Sequence, residues 1–125
     1  MILVDTSIWV DHLRQGDKQL AVLLEGNAVV MHPYVVGEFA CGSLSNRRAI
    51  IGLLESLPTT VIASKSEVLD FIERHALHGR GIGYVDIHLL AAAALTGDTK
   101  IWTNDKMLDT AASSLRLAYR QQAAH

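Results

Sequence analysis

The sequence predicts an α/β fold, a three-layer α/β/α sandwich whose central parallel sheet has four to five strands. Short apolar runs alternate along the chain with longer segments of helical periodicity, which is typical of βαβ units. The apolar runs are continuous, as expected for strands that helices cover on both faces. Of the 125 residues, 50% are hydrophobic and 19% are charged, so we expect one globular domain over residues 1–125.

The apolar runs predict the strands, and the segments between them predict the helices. The strands are expected at residues 2–4, 28–31, 59–62, 100–102 and 115–119. The helices are expected at residues 7–14, 17–25, 33–44, 47–57, 66–77, 84–95 and 105–113. Gly26 can end the second helix, and Pro33 can begin the third. One apolar stripe marks the last helix and consists of Met107, Leu108, Ala111 and Leu115.

Charge and cysteine content exclude several classes of protein. The net charge is −2, from 11 basic and 13 acidic residues, which argues against binding nucleic acid through a bulk positive field. No apolar stretch approaches the roughly 20 residues that a membrane-spanning helix needs. The first basic residue is Arg14, so the N-terminus lacks the charged start of a secretion signal. Because Cys41 is the only cysteine, no disulfide can form within the chain, and we expect a cytoplasmic location.

Two acidic residues follow predicted strands. Asp5 comes directly after the apolar run Ile2-Leu3-Val4, and Asp105, in "KIWTNDKML", lies three residues after Trp102. In open parallel sheets, ligands bind beyond the carboxyl ends of the strands. We therefore expect both carboxylates at the same edge of the sheet.

Two further acidic residues lie in helical segments without a basic partner. Glu38, in "HPYVVGEFACG", and Asp86, in "GYVDIHLLAAAAL", have no basic residue three or four positions away. The helix that contains Asp86 is apolar nearly all round, so we expect it to be buried. Two other acids have the basic neighbour expected on a solvated face, and these pairs are Asp11 with Arg14 and Asp70 with Arg74.

Helix capping is the alternative interpretation of the three aspartates. Asp5, Asp86 and Asp105 each lie at or near a predicted helix start, where aspartate caps the backbone or interacts with the helix dipole. Capping does not apply to Glu38, which is mid-helix on a stripe of small and apolar residues. Four acids without helical partners, two of them after strands, are more than capping predicts. A shared acidic site is therefore the favoured interpretation.

Four neighbouring carboxylates need a cation. Two of them about 4 Å apart repel by roughly 4 kcal/mol at an effective dielectric constant of 20. An all-oxygen ligand set favours Mg²⁺ or Mn²⁺. Zinc is disfavoured because Cys41 has no thiolate partner and the pair His75 and His78 is interpreted as part of a solvated face. An acidic site with a divalent ion suits phosphodiester cleavage, since one ion can activate a water and a second can stabilise the leaving oxygen.

Four segments, in their order and spacing, resemble a known family, and they read "ILVDTSIW", "VVGEFACG", "GYVDIHLLAAAAL" and "IWTND". Together they resemble the PIN domain, specifically the small VapC-type toxin ribonucleases of type II toxin–antitoxin systems, over essentially the whole chain. The closing "QQAAH" adds nothing that the family requires. The resemblance implies a Mg²⁺- or Mn²⁺-dependent endoribonuclease with a parallel sheet between helices. It also implies a homodimer and a cognate antitoxin, joined in a toxin–antitoxin hetero-oligomer.

The resemblance also implies which residues form the site. The catalytic and metal-binding set corresponds to Asp5, Glu38, Asp86 and Asp105. Thr6 and Thr103 match hydroxyl positions near that set. We expect the antitoxin to inhibit by placing an Arg-bearing tail among the carboxylates, in competition with the metal.

Other residues bear on RNA binding. Arg80 and Lys106 lie near the predicted acidic site and are either contacts to RNA phosphates or solvated surface charges. Trp9 and Trp102 lie in apolar segments and are expected in the core. No aromatic stripe for stacking unpaired bases is then expected.

Two other classes of protein are alternatives. A phosphorylation-dependent receiver domain shares the length, the α/β fold and a Mg²⁺-binding acidic edge. It needs a phosphoacceptor aspartate after the third strand and adjacent acids after the first, but here the third strand reads "TTVIASKS" and Thr6 follows Asp5. The second alternative is a non-catalytic PIN-like binding module, against which the intact set of four acids argues.

Overall fold

Three short parallel strands form the sheet in the computed structural model, which describes residues 1–121. The strands are β1 (Ile2–Val4), β2 (Val29–Val30) and β3 (Lys100–Trp102), in the order β2-β1-β3. β1 pairs with both neighbours, with Leu3 opposite Val30 on one side and Ile101 on the other. All three residues of β1 are buried, as expected for a central strand that helices cover on both faces. Residues 122–125 of the predicted domain lie outside the described residues.

Seven helices surround this sheet in the described part of the chain, and they are α1 (Thr6–Gln15), α2 (Lys18–Glu25), α3 (Pro33–Ala40), α4 (Arg47–Glu55), α5 (Lys65–Arg74), α6 (Tyr84–Thr96) and α7 (Lys106–Ser114). The α/β fold class is confirmed. The expectation that α6 is buried is also confirmed, because every residue from 87 to 93 is buried. α5 begins with a capping box formed by Ser64 and Glu67.

The predicted number of strands is wrong. Residues 59–62 and 115–119 contribute one bridge each, Met31 with Thr59 and Ile101 with Ala118. After the bridge at Thr59, the Val61 N–H donates to Thr96 Oγ1 at 2.9 Å, so this segment leaves the sheet. On the other side, the backbone at Arg116 has a positive φ of 60°, which interrupts the extended conformation that a longer strand needs.

Two predicted helices end earlier than expected. α3 stops at Ala40 rather than at residue 44, and Nε and Nη2 of Arg47 donate to the Ala40 carbonyl at 3.1 and 2.8 Å. α5 stops at Arg74 rather than at residue 77, because Ala76 adopts a positive φ of 49°. The other helix ends lie within two residues of their predicted positions.

The core consists of aliphatic side chains on both sides of the sheet, together with Trp9 and Phe39. Trp9 is 4% exposed, as predicted, whereas Trp102 is only partly buried and packs against Tyr119 at a ring-centroid distance of 5.3 Å. Within the predicted stripe of α7, Leu108 and Ala111 are buried, but Met107 is 55% exposed. None of the helices described is long and apolar enough to cross a membrane.

Candidate metal-binding acidic site

Asp5 lies where β1 ends and α1 begins. Its backbone N–H donates to the Trp102 carbonyl at 2.9 Å, which extends the pairing of β1 with β3 by one residue. One carboxylate oxygen, Oδ1, accepts from the Thr6 N–H at 2.7 Å. The other, Oδ2, accepts from the hydroxyls of Thr103 at 2.6 Å and Ser7 at 3.3 Å. Asp5 is 6% exposed, so these donors replace the water that its carboxylate loses on burial.

Two threonines connect Asp5 to the other acids. Thr6 Oγ1 donates to Glu38 Oε1 at 3.0 Å, while the Thr6 N–H bonds Asp5. Thr103 Oγ1 donates to Asp5 and accepts from the Asp105 N–H at 3.0 Å. The structure thus brings Asp5, Glu38 and Asp105 to one edge of the sheet, with the two threonines between them.

Asp105 caps α7, just as Asp5 caps α1. Its Oδ1 accepts from the Leu108 N–H at 2.9 Å, the usual geometry of an N-cap aspartate. Asp105 and Glu38 are both exposed to solvent. Capping therefore does apply to Asp5 and Asp105. The second carboxylate oxygen of Asp105 has no protein donor in the described residues, so capping and metal binding are compatible there. Glu38 caps no helix, and only its Oε1 accepts a hydrogen bond within that range.

Asp86 lies in the first turn of α6 and has no cap role. No group among residues 1–121 donates a hydrogen bond to its carboxylate, and Gly83 is the N-cap. Burial raises the pKa of the Asp86 carboxyl to about 6, and three negative charges contribute to the rise. In decreasing order of effect, these charges belong to Asp5, Asp105 and Glu38. All four predicted acids therefore share one electrostatic environment.

The chemistry of this donor set fits a hard divalent cation, because every donor is an oxygen and the Asp86 carboxylate accepts no hydrogen bond within residues 1–121. The geometry fits less closely. Within residues 1–121, no three side chains of Asp, Glu, His or Cys lie close enough together to hold a metal ion. No basic side chain in the same range pairs with any of the four. Their role as ligands stays a prediction.

Sequence reasoning missed two polar residues near Asp5, namely Ser7 and Asn104. Ser7 Oγ accepts from the Asn104 N–H at 3.1 Å, and Asn104 Nδ2 donates to Asp11 Oδ2 at 3.0 Å. The expected pairing of Asp11 with Arg14 is wrong, because Asp11 binds Asn104 instead. The expected pair Asp70 with Arg74 is confirmed at 3.1 Å. A signal for Ser7 was present, since a hydroxyl two residues after a capping aspartate commonly bonds locally.

Arg80 and Lys106 are exposed and make no ion pair within the described part of the chain. The structure therefore does not bring them into contact with the acids. A cleft of about 380 Å³ lies beside Thr6 and Glu38, with Arg14 among its lining residues. It provides room next to the acidic site for a segment of a bound chain.

Comparison with known proteins identifies the family. The PIN domain family model matches residues 2–113, so the chain belongs to the PIN domain family. It is similar to two proteins named Ribonuclease VapC32, from the CDC 1551 / Oshkosh and H37Rv strains of Mycobacterium tuberculosis. Each is 40% identical over 124 residues, which cover 99% of this chain and 100% of the relative. The predicted resemblance to VapC-type PIN proteins is confirmed, and the receiver-domain alternative is wrong.

Proposed function

We propose that this protein is the toxin of a toxin–antitoxin pair and acts as a Mg²⁺- or Mn²⁺-dependent endoribonuclease. The observation that carries this proposal is Asp86, a carboxylate without hydrogen-bond partners in the described structure, whose pKa is raised by burial and, to a smaller extent, by the charges of Asp5, Asp105 and Glu38. Such a cluster favours a divalent cation. The similarity to proteins named as ribonucleases supports RNA as the substrate.

The four acids would hold the metal, with Mg²⁺ or Mn²⁺ as the expected ion. When bound, a divalent ion supplies an activated water and stabilises the leaving oxygen of a phosphodiester. Thr103 and Ser7 hold the Asp5 carboxylate in place through their hydroxyls, and Thr6 does the same for Glu38. Because Asp5 is buried, it is the most rigidly held of the acids.

The charge distribution is compatible with an RNA substrate. With the four site acids set aside, nine acidic residues remain against 11 basic ones, so the rest of the surface does not repel RNA. Arg80 and Lys106 are the proposed contacts to RNA phosphates. Both are exposed and without an ion-pair partner among the described residues, as such contacts require.

The proposed partner is a cognate antitoxin. The acids lack basic partners in the described chain, so an arginine from another protein could bind them in bidentate geometry and exclude the metal. We also propose that the protein acts in the cytoplasm as a homodimer and joins its antitoxin in a hetero-oligomer.

A non-catalytic PIN-like binding module is the second candidate. One observation favours it, namely that no three potential ligands among residues 1–121 are positioned to hold a metal ion. Such a module would keep the fold and bind RNA or protein without turnover.

Cleavage of total RNA by the full chain separates the two candidates. We expect cleavage with Mn²⁺ or Mg²⁺, none with EDTA, and a loss of orders of magnitude in Asp86→Asn. Asp70→Asn is the matched control, because Asp70 is an exposed acid that pairs with Arg74 far from the site in sequence. Absence of cleavage with every divalent ion, by a protein shown to be folded, would favour the binding module.

A further inference from the structure

Two tyrosines lie at the same edge of the sheet as the acids. Tyr34 is in the first turn of α3, which begins just after the carboxyl end of β2, and Tyr84 is the first residue of α6. Because α6 leads back to the start of β3, its own start lies at the carboxyl edge. Tyr34 is 38% exposed and Tyr84 is 48% exposed.

A buried histidine joins these two rings. His88 is 3% exposed, and its ring centroid lies 4.8 Å from that of Tyr34 and 4.7 Å from that of Tyr84. Both contacts are edge-to-face, with interplanar angles of 64° and 90°. The fully buried His32 supports Tyr34 from a second side, at 5.0 Å. Each tyrosine is thus packed against the core and partly exposed to solvent.

The tyrosines are close in sequence to the acids and to a basic residue. Tyr34 precedes Glu38 by about one helical turn, or roughly 6 Å along the axis of α3. Tyr84 precedes Asp86 by two residues in α6, a spacing that directs the two side chains to different sides of the helix, so Tyr84 contacts His88 one turn further on. Arg80 lies four residues before Tyr84 in the loop that leads into α6, exposed and without an ion pair in the described structure.

We propose that Tyr34 and Tyr84 form an aromatic platform on which an unpaired RNA base stacks, at the edge of the sheet that carries the acids. This inference rests on the proposed ribonuclease function and specifies how the substrate is held. Tyr34 and Tyr84 are exposed enough for a base to reach them, and stacking of a base on an aromatic ring does not depend on base identity. Sequence reasoning expected no stacking surface, because the two tyrosines are 50 positions apart and only the fold brings both rings to His88.

RNA fits this platform better than a second copy of the chain does. A stable protein interface buries about 800 Å² on each partner, far more than two partly exposed rings provide. The exposed Arg80, four residues before Tyr84, suits a phosphate group, whereas a symmetric second copy would bring another Arg80 towards the first.

The test compares aromatic with aliphatic substitutions in the full chain. We expect Tyr34→Phe and Tyr84→Phe to keep the KM for a short single-stranded RNA, with Mn²⁺ present. We expect Tyr34→Leu and Tyr84→Leu to raise KM by roughly 5- to 160-fold each, with kcat changed much less. Leu69→Ala, at an α5 side chain that is also 48% exposed, should leave KM unchanged. Stabilisation by Mn²⁺ should be the same in all these variants.

A second measurement reports stacking directly. An RNA that carries 2-aminopurine, bound in Ca²⁺ to avoid turnover, should lose fluorescence with the wild type and the Phe variants but not with the Leu variants. An unchanged KM in the Leu variants, or an equal loss in the Phe variants, would overturn the platform. If a variant with a raised KM also has a changed molar mass in analytical ultracentrifugation, the tyrosines form a contact between two copies of the chain instead.

These outcomes separate the platform from the proposed function. If the wild type quenches 2-aminopurine but never cleaves RNA, the nuclease proposal fails and the platform stands. If the wild type cleaves RNA and the Leu variants cleave it equally well, only the platform fails.

Discussion

Asp86 differs from the other three acids because nothing in residues 1–121 donates a hydrogen bond to it. Its charged form is therefore unfavourable in the folded protein, and we expect Asp86→Asn to unfold at a higher urea concentration than the wild type at pH 7.5 without metal. With Mn²⁺ present, the variant has lost an anionic ligand, so its gain in stability should be smaller. Equal Mn²⁺-dependent gains in the two proteins would contradict a role for Asp86 as a ligand.

The pH dependence of this difference has a defined sign. The pKa of Asp86 is about 6 in the folded protein and 3.8 in an unfolded chain, so the folded state binds the extra proton between these values. The free energy of unfolding of the wild type should therefore fall, relative to Asp86→Asn, as pH rises from 4 to 6. The full pKa shift corresponds to about 3 kcal/mol of unfolding free energy. The measured difference should be smaller, because solvent partly screens the group. Urea titrations at several pH values measure it.

His32 should have the opposite effect over a similar range. Burial, and then the nearby His88, lower the pKa of His32 to about 4, against 6.5 in an unfolded chain. Stability from the neutral imidazole is present above pH 6.5 and is lost as pH falls towards 4, by up to about 3 kcal/mol. An asparagine at position 32 can still cap α3. We expect the free energy of unfolding of His32→Asn to be lower than that of the wild type and to depend less on pH between 4 and 6.5. His88, whose pKa burial also lowers, remains titratable in that variant.

At the scale of elements, the turn between β3 and α7 organises the site. Thr103 donates to Asp5 and accepts from the Asp105 N–H, so it joins the end of one strand to the start of two helices. Thr103→Val should lower the free energy of unfolding by about 1–3 kcal/mol, because a buried carboxylate loses a charge-assisted hydrogen bond. Thr103→Ser should retain most of it. A Val variant as stable as the Ser variant would show that the bond contributes little.

Elements with a strong local signal were predictable, and elements that depend on distant partners were less so. β1, the residues of β2 and β3, and the buried helix α6 follow from apolar pattern alone. The early end of α3 was not predictable, because the Ala40 carbonyl is bonded by Arg47 from the next helix. The strand expected at residues 59–62 was wrong for a similar reason, since Val61 bonds a threonine side chain instead of a neighbouring strand. The strand expected at residues 115–119 is interrupted by the positive φ of Arg116.

For the molecule as a whole, metal binding should couple to folding. If the four acids bind Mn²⁺ only in the folded chain, a metal concentration 100 times the dissociation constant should add about 2.7 kcal/mol to stability. Melting curves with and without millimolar Mn²⁺ measure this gain. NaCl at equal ionic strength controls for screening, and Asp70→Asn should show the full gain. A melting temperature that Mn²⁺ does not raise beyond the NaCl control would argue against a shared site.

The candidate site was predictable at the level of its acids but not of their partners. Strand ends pointed to Asp5 and Asp105, and the lack of a basic neighbour pointed to Glu38 and Asp86. The contact of Asp5 with Thr103 joins residues 98 positions apart, so its geometry depends on the order of strands in the sheet. Local sequence carries no information about that order.

The central position of β1 has a consequence for the synthesis of the protein. β1 leaves the ribosome first but cannot pair with β3 until nearly the whole chain has been made, because Val4 pairs with Trp102. Closing so long a loop is slow, and its entropic cost is recovered only when the distant strand docks. A nascent chain that stops before Lys100 cannot bring Asp105 to Asp5. The acidic site is therefore assembled only when synthesis is almost complete, so the proposed ribonuclease activity would be absent from the nascent chain on the ribosome.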